Sequence, residues 1–235
     1  MKKFILLPFI FLTLISCAAR IEGSLSADGS AAVFVSMSLE PRMTTLIRSL
    51  SAAGGQVNEH VLDGPAIAAS MAGAHGVTTA VFTNTAPAAI EGQVRIFQIS
   101  DFLSAADGQA RGRFITFEQQ QTGGRCLINI NRENGPAVIS LLSTEIADYL
   151  NALMAPLATS EEMNKEEYLE LVAMFYNRTI SSEIASSRIR ASIEFPGLIT
   201  EVRGGTFSGR RANFDISVLD LLVLETPLVY EVTWR

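Results

Sequence analysis

Polar and apolar positions alternate through RIEGSLSADGSAAVFVSMSLEP on both sides of Ala27-Asp28-Gly29-Ser30, which predicts two antiparallel strands joined by a tight turn. After Pro41 the spacing changes. Met43, Leu46, Ile47 and Leu50 recur at helical intervals until Gly54-Gly55 stops the run. GPAIAASMAGAHG, with Pro65 in its first turn, predicts a second helix built of small residues. Strands follow in VTTAVFTNT and EGQVRIFQIS, then one or two helical turns in ISDFLSAADG. Two more strands, GRFITFEQQ and RCLININ, form a meander around Thr122-Gly123-Gly124.

The period then lengthens to 3.6 residues. Ile139, Leu142, Ile146, Tyr149, Leu150, Leu153 and Leu157 predict one long amphipathic helix, and Tyr168, Leu171, Val172, Phe175 and Tyr176 predict another within EEMNKEEYLELVAMFYNR. Glu161, Glu162, Glu166 and Glu167 are expected in the early turns of the latter, where negative charge meets the positive end of the helix dipole. RIRASIEFPG, LITEVRGG and ANFDISV read as strands, Leu219 to Leu222 as a short helical turn, and LVYEVTWR as the last strand. Strands before and after a helical pair predict an α+β fold, a mostly antiparallel sheet with helices packed on one face.

The amino terminus breaks this pattern. Lys2 and Lys3 precede an apolar run from Phe4 to Ile15, which as a helix spans only about 18 Å, short of the roughly 30 Å of a bilayer's hydrocarbon core. A positive start, a short apolar centre and small residues after it describe a secretory signal that is cut off. The cut is marked by Leu14-Ile15-Ser16-Cys17, which resembles the bacterial lipobox: the cysteine thiol takes a diacylglycerol carrying fatty chains such as palmitate, and the peptide bond before it is cleaved. Residues 1–16 are then the signal peptide and residues 17–235 a single lipoprotein domain beginning at Cys17. Two or more acyl chains hold a protein stably at a membrane where one does not. Ala18 and Ala19 supply no acidic residue at the second mature position, which favours delivery to the outer membrane in a host that has one.

Removing the first 16 of 235 residues also removes two of the 18 basic residues and none of the 24 acidic ones. The mature chain of 219 residues carries 16 basic against 24 acidic groups, a net charge of −8. This opposes nucleic-acid binding, which relies on surplus positive charge against phosphate. It equally opposes simple electrostatic adhesion to anionic lipid. All but one of the mature basic residues, Lys165, are arginines, whose forked guanidinium suits carboxylate and phosphate. Arg111 with Arg113, and Arg210 with Arg211, lie in strand or turn segments, and two readings stay open for them: solvent-facing strand residues, or a site for a phosphate or carboxylate headgroup. With Cys17 consumed, only Cys126 remains, so no internal disulfide forms, and its place in RCLININ predicts a small side chain packed on a strand.

The closing segment, IEFPGLITEVRGGTFSGRRANFDISVLDLLVLETPLVYEVTW, resembles that of LppM-like envelope lipoproteins. The shared layout is a lipidated amino terminus, a first hairpin with an Asp-Gly turn, and a late sequence of PG, strand, G, strand and Trp. Here those features are Cys17, Asp28-Gly29, Pro196-Gly197, Gly204-Gly205, Gly209 and Trp234. The resemblance implies an α+β envelope domain without an established enzyme activity, and it carries over no catalytic residue.

Signatures of chemistry are sparse. His60 and His75 stand fifteen residues apart with no second ligand type close by, so no zinc pattern is present. GTFSG places its serine one position too late for a nucleophile elbow, and no phosphate loop, dinucleotide fingerprint or SxxK arrangement occurs. The expectation is a membrane-tethered, non-enzymatic protein of the cell envelope that needs no cofactor or metal and binds another envelope protein or lipid. Two other readings stay open: a carrier of an apolar or amphiphilic ligand, and a cell-wall hydrolase.

Overall fold

The computed structural model describes residues 18–53, 60–104, 114–120, 122–139 and 144–235. The first hairpin forms where the alternation places it. β1 (Ala18–Leu25) and β2 (Ala31–Ser38) pair antiparallel, with Ile21 opposite Val35. In the turn, Asp28 Oδ1 accepts hydrogen bonds from Ser30 N at 3.0 Å and Ser30 Oγ at 2.7 Å, and these bonds hold the Asp28 carboxyl below its ordinary pKa. Gly29 sits at φ +84°, a left-handed backbone that favours glycine.

Five further strands extend this pair. They are β3 (Val77–Ala86), β4 (Ala89–Ile96), β7 (Arg188–Glu194), β9 (Thr206–Ser208) and β10 (Arg211–Ser217), and the sheet runs β3-β4-β2-β1-β7-β10-β9. Neighbours are antiparallel except β1 and β7, which run parallel. β5 (Ile115–Gln120), β6 (Gly123–Ile130), β8 (Ile199–Arg203) and β11 (Leu228–Trp234) form a second, wholly antiparallel sheet ordered β5-β6-β11-β8. The fold is α+β with mostly antiparallel strands, as the strand and helix periods predict.

Three apolar clusters hold these layers. α1 (Pro41–Ala53), α2 (Gly64–Ala72) and α3 (Ile99–Ser104) follow the early strands. Asp63 caps α2 by accepting from Ala66 N, and Ile67, Ala68 and Met71 of that helix pack on Phe82, Ile90, Val94 and Ile96 of β3 and β4. The remaining helices are α4 (Gly135–Ile139), α5 (Thr144–Ala152), α6 (Pro156–Thr159), α7 (Lys165–Phe175), α8 (Arg178–Ser186) and α9 (Val218–Val223). Of these, α7, α8 and α9, with α1 and with Leu153 just past α5, gather Met43, Ile47, Leu153, Tyr168, Val172, Ile180, Ile184, Leu222 and Val223 into a helical cluster. Leu39, just past β2, and Val218, just past β10, join that cluster to the end of the sheet where β1 begins.

Two sequence expectations are corrected here. The apolar period from Ile139 to Leu157 does not form one long helix: α5 ends at Ala152, Met154 turns to φ +53°, and Pro156, which lacks an amide hydrogen, opens α6 instead of continuing α5. Glu161 and Glu162 precede α7 rather than lying in its first turn. That helix starts after Asn164, whose side chain accepts from Glu167 N while Glu167 Oε2 accepts from Asn164 N, each at 2.9 Å.

The third cluster lies between the sheets. Leu25, Phe195, Ile199, Ala212, Val232 and Trp234 are buried there, with Phe117, Cys126 and Phe214 packed around them. Cys126 sits on β6 as its alternating surroundings predict, and burial pushes its thiol up to about 11. The native thiol is therefore expected to stay unreactive toward a disulfide reagent at pH 8 and to react on unfolding. Because the folded pKa is the higher one, the contribution of the neutral thiol is complete below about pH 9. It is lost as pH rises from about 9 toward about 11, by about 1.4 kcal/mol per pH unit. Urea midpoints at pH 8 and pH 10 check this, and a Cys126→Ala variant should show the smaller drop between them.

Candidate functional site

Cys17, Arg111 and Arg113 lie outside the described residues. What the structure does show is the chain immediately after the cysteine. Ala18 is already the first residue of β1, paired with Ser38 of β2 on one side and Arg188 of β7 on the other. β1 is the middle strand of seven, so the segment that follows the lipobox is ordered by neighbours on both edges.

Arg210 and Arg211 sit where β10 begins. Arg210 Nη2 donates to Glu194 Oε1 at 3.0 Å and Arg211 Nη2 to Glu194 Oε2 at 3.4 Å, while Arg210 Nε donates to the Phe195 carbonyl at 3.1 Å. The carboxylate that these two guanidiniums hold is the chain's own. All three side chains are 40–60% exposed, and ion pairs of that kind contribute about 0–1 kcal/mol, so a headgroup would compete with Glu194 at small cost.

Period-two geometry and the strand register divide the large sheet into two faces. One carries Ile21, Val33, Val35, Ile189, Ala191, Phe214 and Ile216, the side turned toward the clusters. The other carries Arg20, Ser36, Arg188, Arg190, Ser192, Asn213 and Asp215. This polar face forms an open trough of about 1000 Å³, lined by Arg20, Ser36, Ser38, Arg190, Asn213 and Asp215 among others. Arg20 stands directly opposite Arg190, and Arg190 opposite Asp215, in one row across three strands. Arg20 Nη2 also donates to Glu22 Oε1 at 2.6 Å, and Ser192 Oγ donates to Asn213 Oδ1 at 2.9 Å.

The apolar face is less complete than a closed core. Ile21, Val33, Ile189 and Ile216 are half-buried, and they fall between the three buried clusters. The second sheet turns Ile128, Ile130, Leu228 and Tyr230 to the same side as its buried Val232 and Trp234, and these too are half-buried. The two apolar faces meet where Tyr230 packs edge-on against Phe214, ring centroids 5.6 Å apart.

Among the described residues no three His, Cys, Asp or Glu side chains converge on a position that could hold a metal ion. Glu167 is occupied in the α7 cap, and Lys165 Nζ donates to Asp220 Oδ1 at 3.0 Å, tying α7 to α9.

Reading the sequence missed Arg20, Arg188 and Arg190. The alternation in RIE and RIR signals that the arginines of each strand share a face. Nothing local signals that two strands about 170 residues apart pair in parallel and bring them together.

No protein-family model and no curated protein sequence matches the chain. It is similar to the folded domain of LppM from Mycobacterium tuberculosis, solved by NMR, with a TM-score of 0.41 and 10% identity over 94% of this chain and 90% of that one. That is a loose likeness in the course of the chain.

Proposed function

We propose that the chain is exported, lipidated at Cys17 and held at the cell envelope as a non-enzymatic lipoprotein whose domain, residues 17–235, binds another envelope component. The observation that carries this reading is Leu14-Ile15-Ser16-Cys17 at the end of a short apolar run that begins after two lysines. β1 begins at Ala18 and so lies wholly on the mature side of the cut. No helix among the described residues is long and apolar enough to cross a membrane, so in this reading the acyl chains supply the attachment.

Growth with a clickable palmitate analogue tests it. The wild-type chain should take up the label and sediment with membranes. Cys17→Ser should take up none and shift to the soluble fraction, and label retained by Cys17→Ser would contradict the assignment.

A second reading is a carrier of an apolar or amphiphilic ligand. It is favoured by the half-buried side chains of Ile21, Ile189 and Ile216 on one face of the large sheet, facing the side of the second sheet that carries Ile128, Leu228 and Tyr230. Native mass spectrometry of protein purified without delipidation separates the two. Copurified lipid mass on a Cys17→Ser chain supports the carrier, and its absence together with failure to take up lipid probes removes it.

A further inference from the structure

The distance between the anchor and the fold has a consequence of its own. Successive Cα atoms are about 3.8 Å apart, so a lipid on Cys17 is one peptide unit from a residue already paired on both edges. A tethered domain usually gains its freedom from a linker whose reach grows with the square root of its length, and here there is no length to supply it. β1 is fixed in the middle of its sheet, so its direction is the direction of the domain. The Ala18 end must lie at the headgroup layer, and the turn at Asp28-Gly29 must lie beyond the far end of β1, whose eight residues span about 26 Å.

The groups at the Ala18 end differ between the two faces. On the apolar side Leu39 and Val218 lead into the helical cluster. On the polar side the approach is the trough, lined by Arg20 and Arg190, with Arg188 on the same face nearer the sheet end. Arg188 is in the same row as Ala18, and Arg20 and Arg190 are two residues farther along, about 7 Å from it. Carboxylates share this face: Glu22 is ion-paired with Arg20, Asp215 stands opposite Arg190 and Glu91 lies in the same row on β4, so Arg188, in the Ala18 row, is the arginine nearest the lipid, and Glu194 comes six residues later. Beyond these neighbours, fields from charges farther away than about 8–10 Å are screened at physiological salt, so the local set of charges at the Ala18 end counts for more than the net charge of the mature chain.

Resting on the proposed lipidation of Cys17, we infer that the domain is held against its own membrane in one orientation, with the Ala18 end of the large sheet on the lipid surface and Arg20, Arg188 and Arg190 meeting the phosphates of anionic headgroups. The acyl chains supply retention, and the arginines select the tilt.

Lipidated full-length protein in vesicles of phosphatidylcholine with roughly one-third phosphatidylglycerol tests this. A Cys126→Ser background carries one fluorophore, either at Ala86→Cys beside the Ala18 end or at Ala27→Cys beside the far turn, both exposed positions. Lipids spin-labelled in the headgroup act as quencher. Quenching at position 86 should exceed that at position 27 several-fold. Inserting about twenty Gly and Ser residues between Cys17 and Ala18, a reach of about 25 Å, should abolish the difference. Changing Arg20, Arg188 and Arg190 together to Gln should leave the protein on the vesicles while removing the extra quenching that phosphatidylglycerol gives over pure phosphatidylcholine. Equal quenching at both positions in lipidated wild-type protein overturns the fixed orientation alone. An unchanged response to phosphatidylglycerol in the triple variant overturns the role of the arginines. A mature chain whose intact mass shows no acyl groups on Cys17 overturns the anchor and this inference together.

Discussion

Trp234→Ala should destabilise the folded domain by about 3–5 kcal/mol, among the largest losses available to a single substitution in the sheets. The indole is 3% exposed and lies between two rings, Phe195 with centroids 5.0 Å away and Phe117 at 6.0 Å. Its surroundings are shaped to admit it. A Cβ on Gly124 would stand 2.3 Å from Trp234 Cζ2, and one on Gly197 would meet the Arg235 carbonyl at 2.5 Å and Trp234 Cδ1 at 3.0 Å. The alanine variant would therefore leave a cavity that stiff strands on both sides cannot close. Gly124→Ala should be damaging for the opposite reason, because the ring it strikes is enclosed and has nowhere to move. Trp234 is the only tryptophan, so urea unfolding of both variants is followed by far-UV circular dichroism. A loss under about 1 kcal/mol for Trp234→Ala would show that the sheets do not depend on this contact.

The second large effect is expected at Tyr168 in the helical cluster. The residue is fully buried, and its hydroxyl donates to the Leu153 carbonyl at 3.3 Å. Desolvation, with a smaller contribution from Tyr176, raises the hydroxyl's pKa well above the ordinary tyrosine value, so it remains a donor throughout the neutral range. Tyr168→Ala should cost about 3–5 kcal/mol, since it empties the space among α7, α8 and α9, whereas Tyr168→Phe removes only the hydrogen bond and should cost about 0.5–1.5 kcal/mol. If residues 17–235 are one domain, Tyr168→Ala and Trp234→Ala lower the midpoint of the same single transition. A transition that splits in only one of the variants would make the helical cluster and the sheets separate folding units.

Strands were readable where one face meets apolar side chains and the other solvent. GQVRI shows this in β4, where Val94 and Ile96 are buried while Gln93 and Arg95 are exposed. β9 (Thr206–Ser208), exposed at all three residues, was not readable. α8 was not anticipated. Its buried Ile180 and Ile184 lie four residues apart within RTISSEIAS, and the serines and threonine around them gave that segment the composition of a loop. The run from Tyr149 to Leu157 misled in the other direction, since an apolar period continues through Pro156 although the backbone cannot.

The candidate site was legible only in pieces. The lipobox needs no fold to be seen, but the place of the next residue at the middle of a sheet is a tertiary fact, set by partners at Ser38 and Arg188. The Arg210-Arg211 pair was visible as charge. Its partner Glu194, sixteen residues before Arg210, becomes adjacent only when β7 and β10 pair with Glu194 opposite Arg211. Spacing rules reach as far as one helix or hairpin, and groups that meet through longer connections lie beyond them.

Weighing the intact mature protein after detergent extraction from membranes tests the central claim most directly. The account predicts a polypeptide that starts at Cys17 and carries a diacylglyceryl group on that residue's sulfur. A chain that starts at any other residue, or that starts at Cys17 with a free thiol, would contradict it.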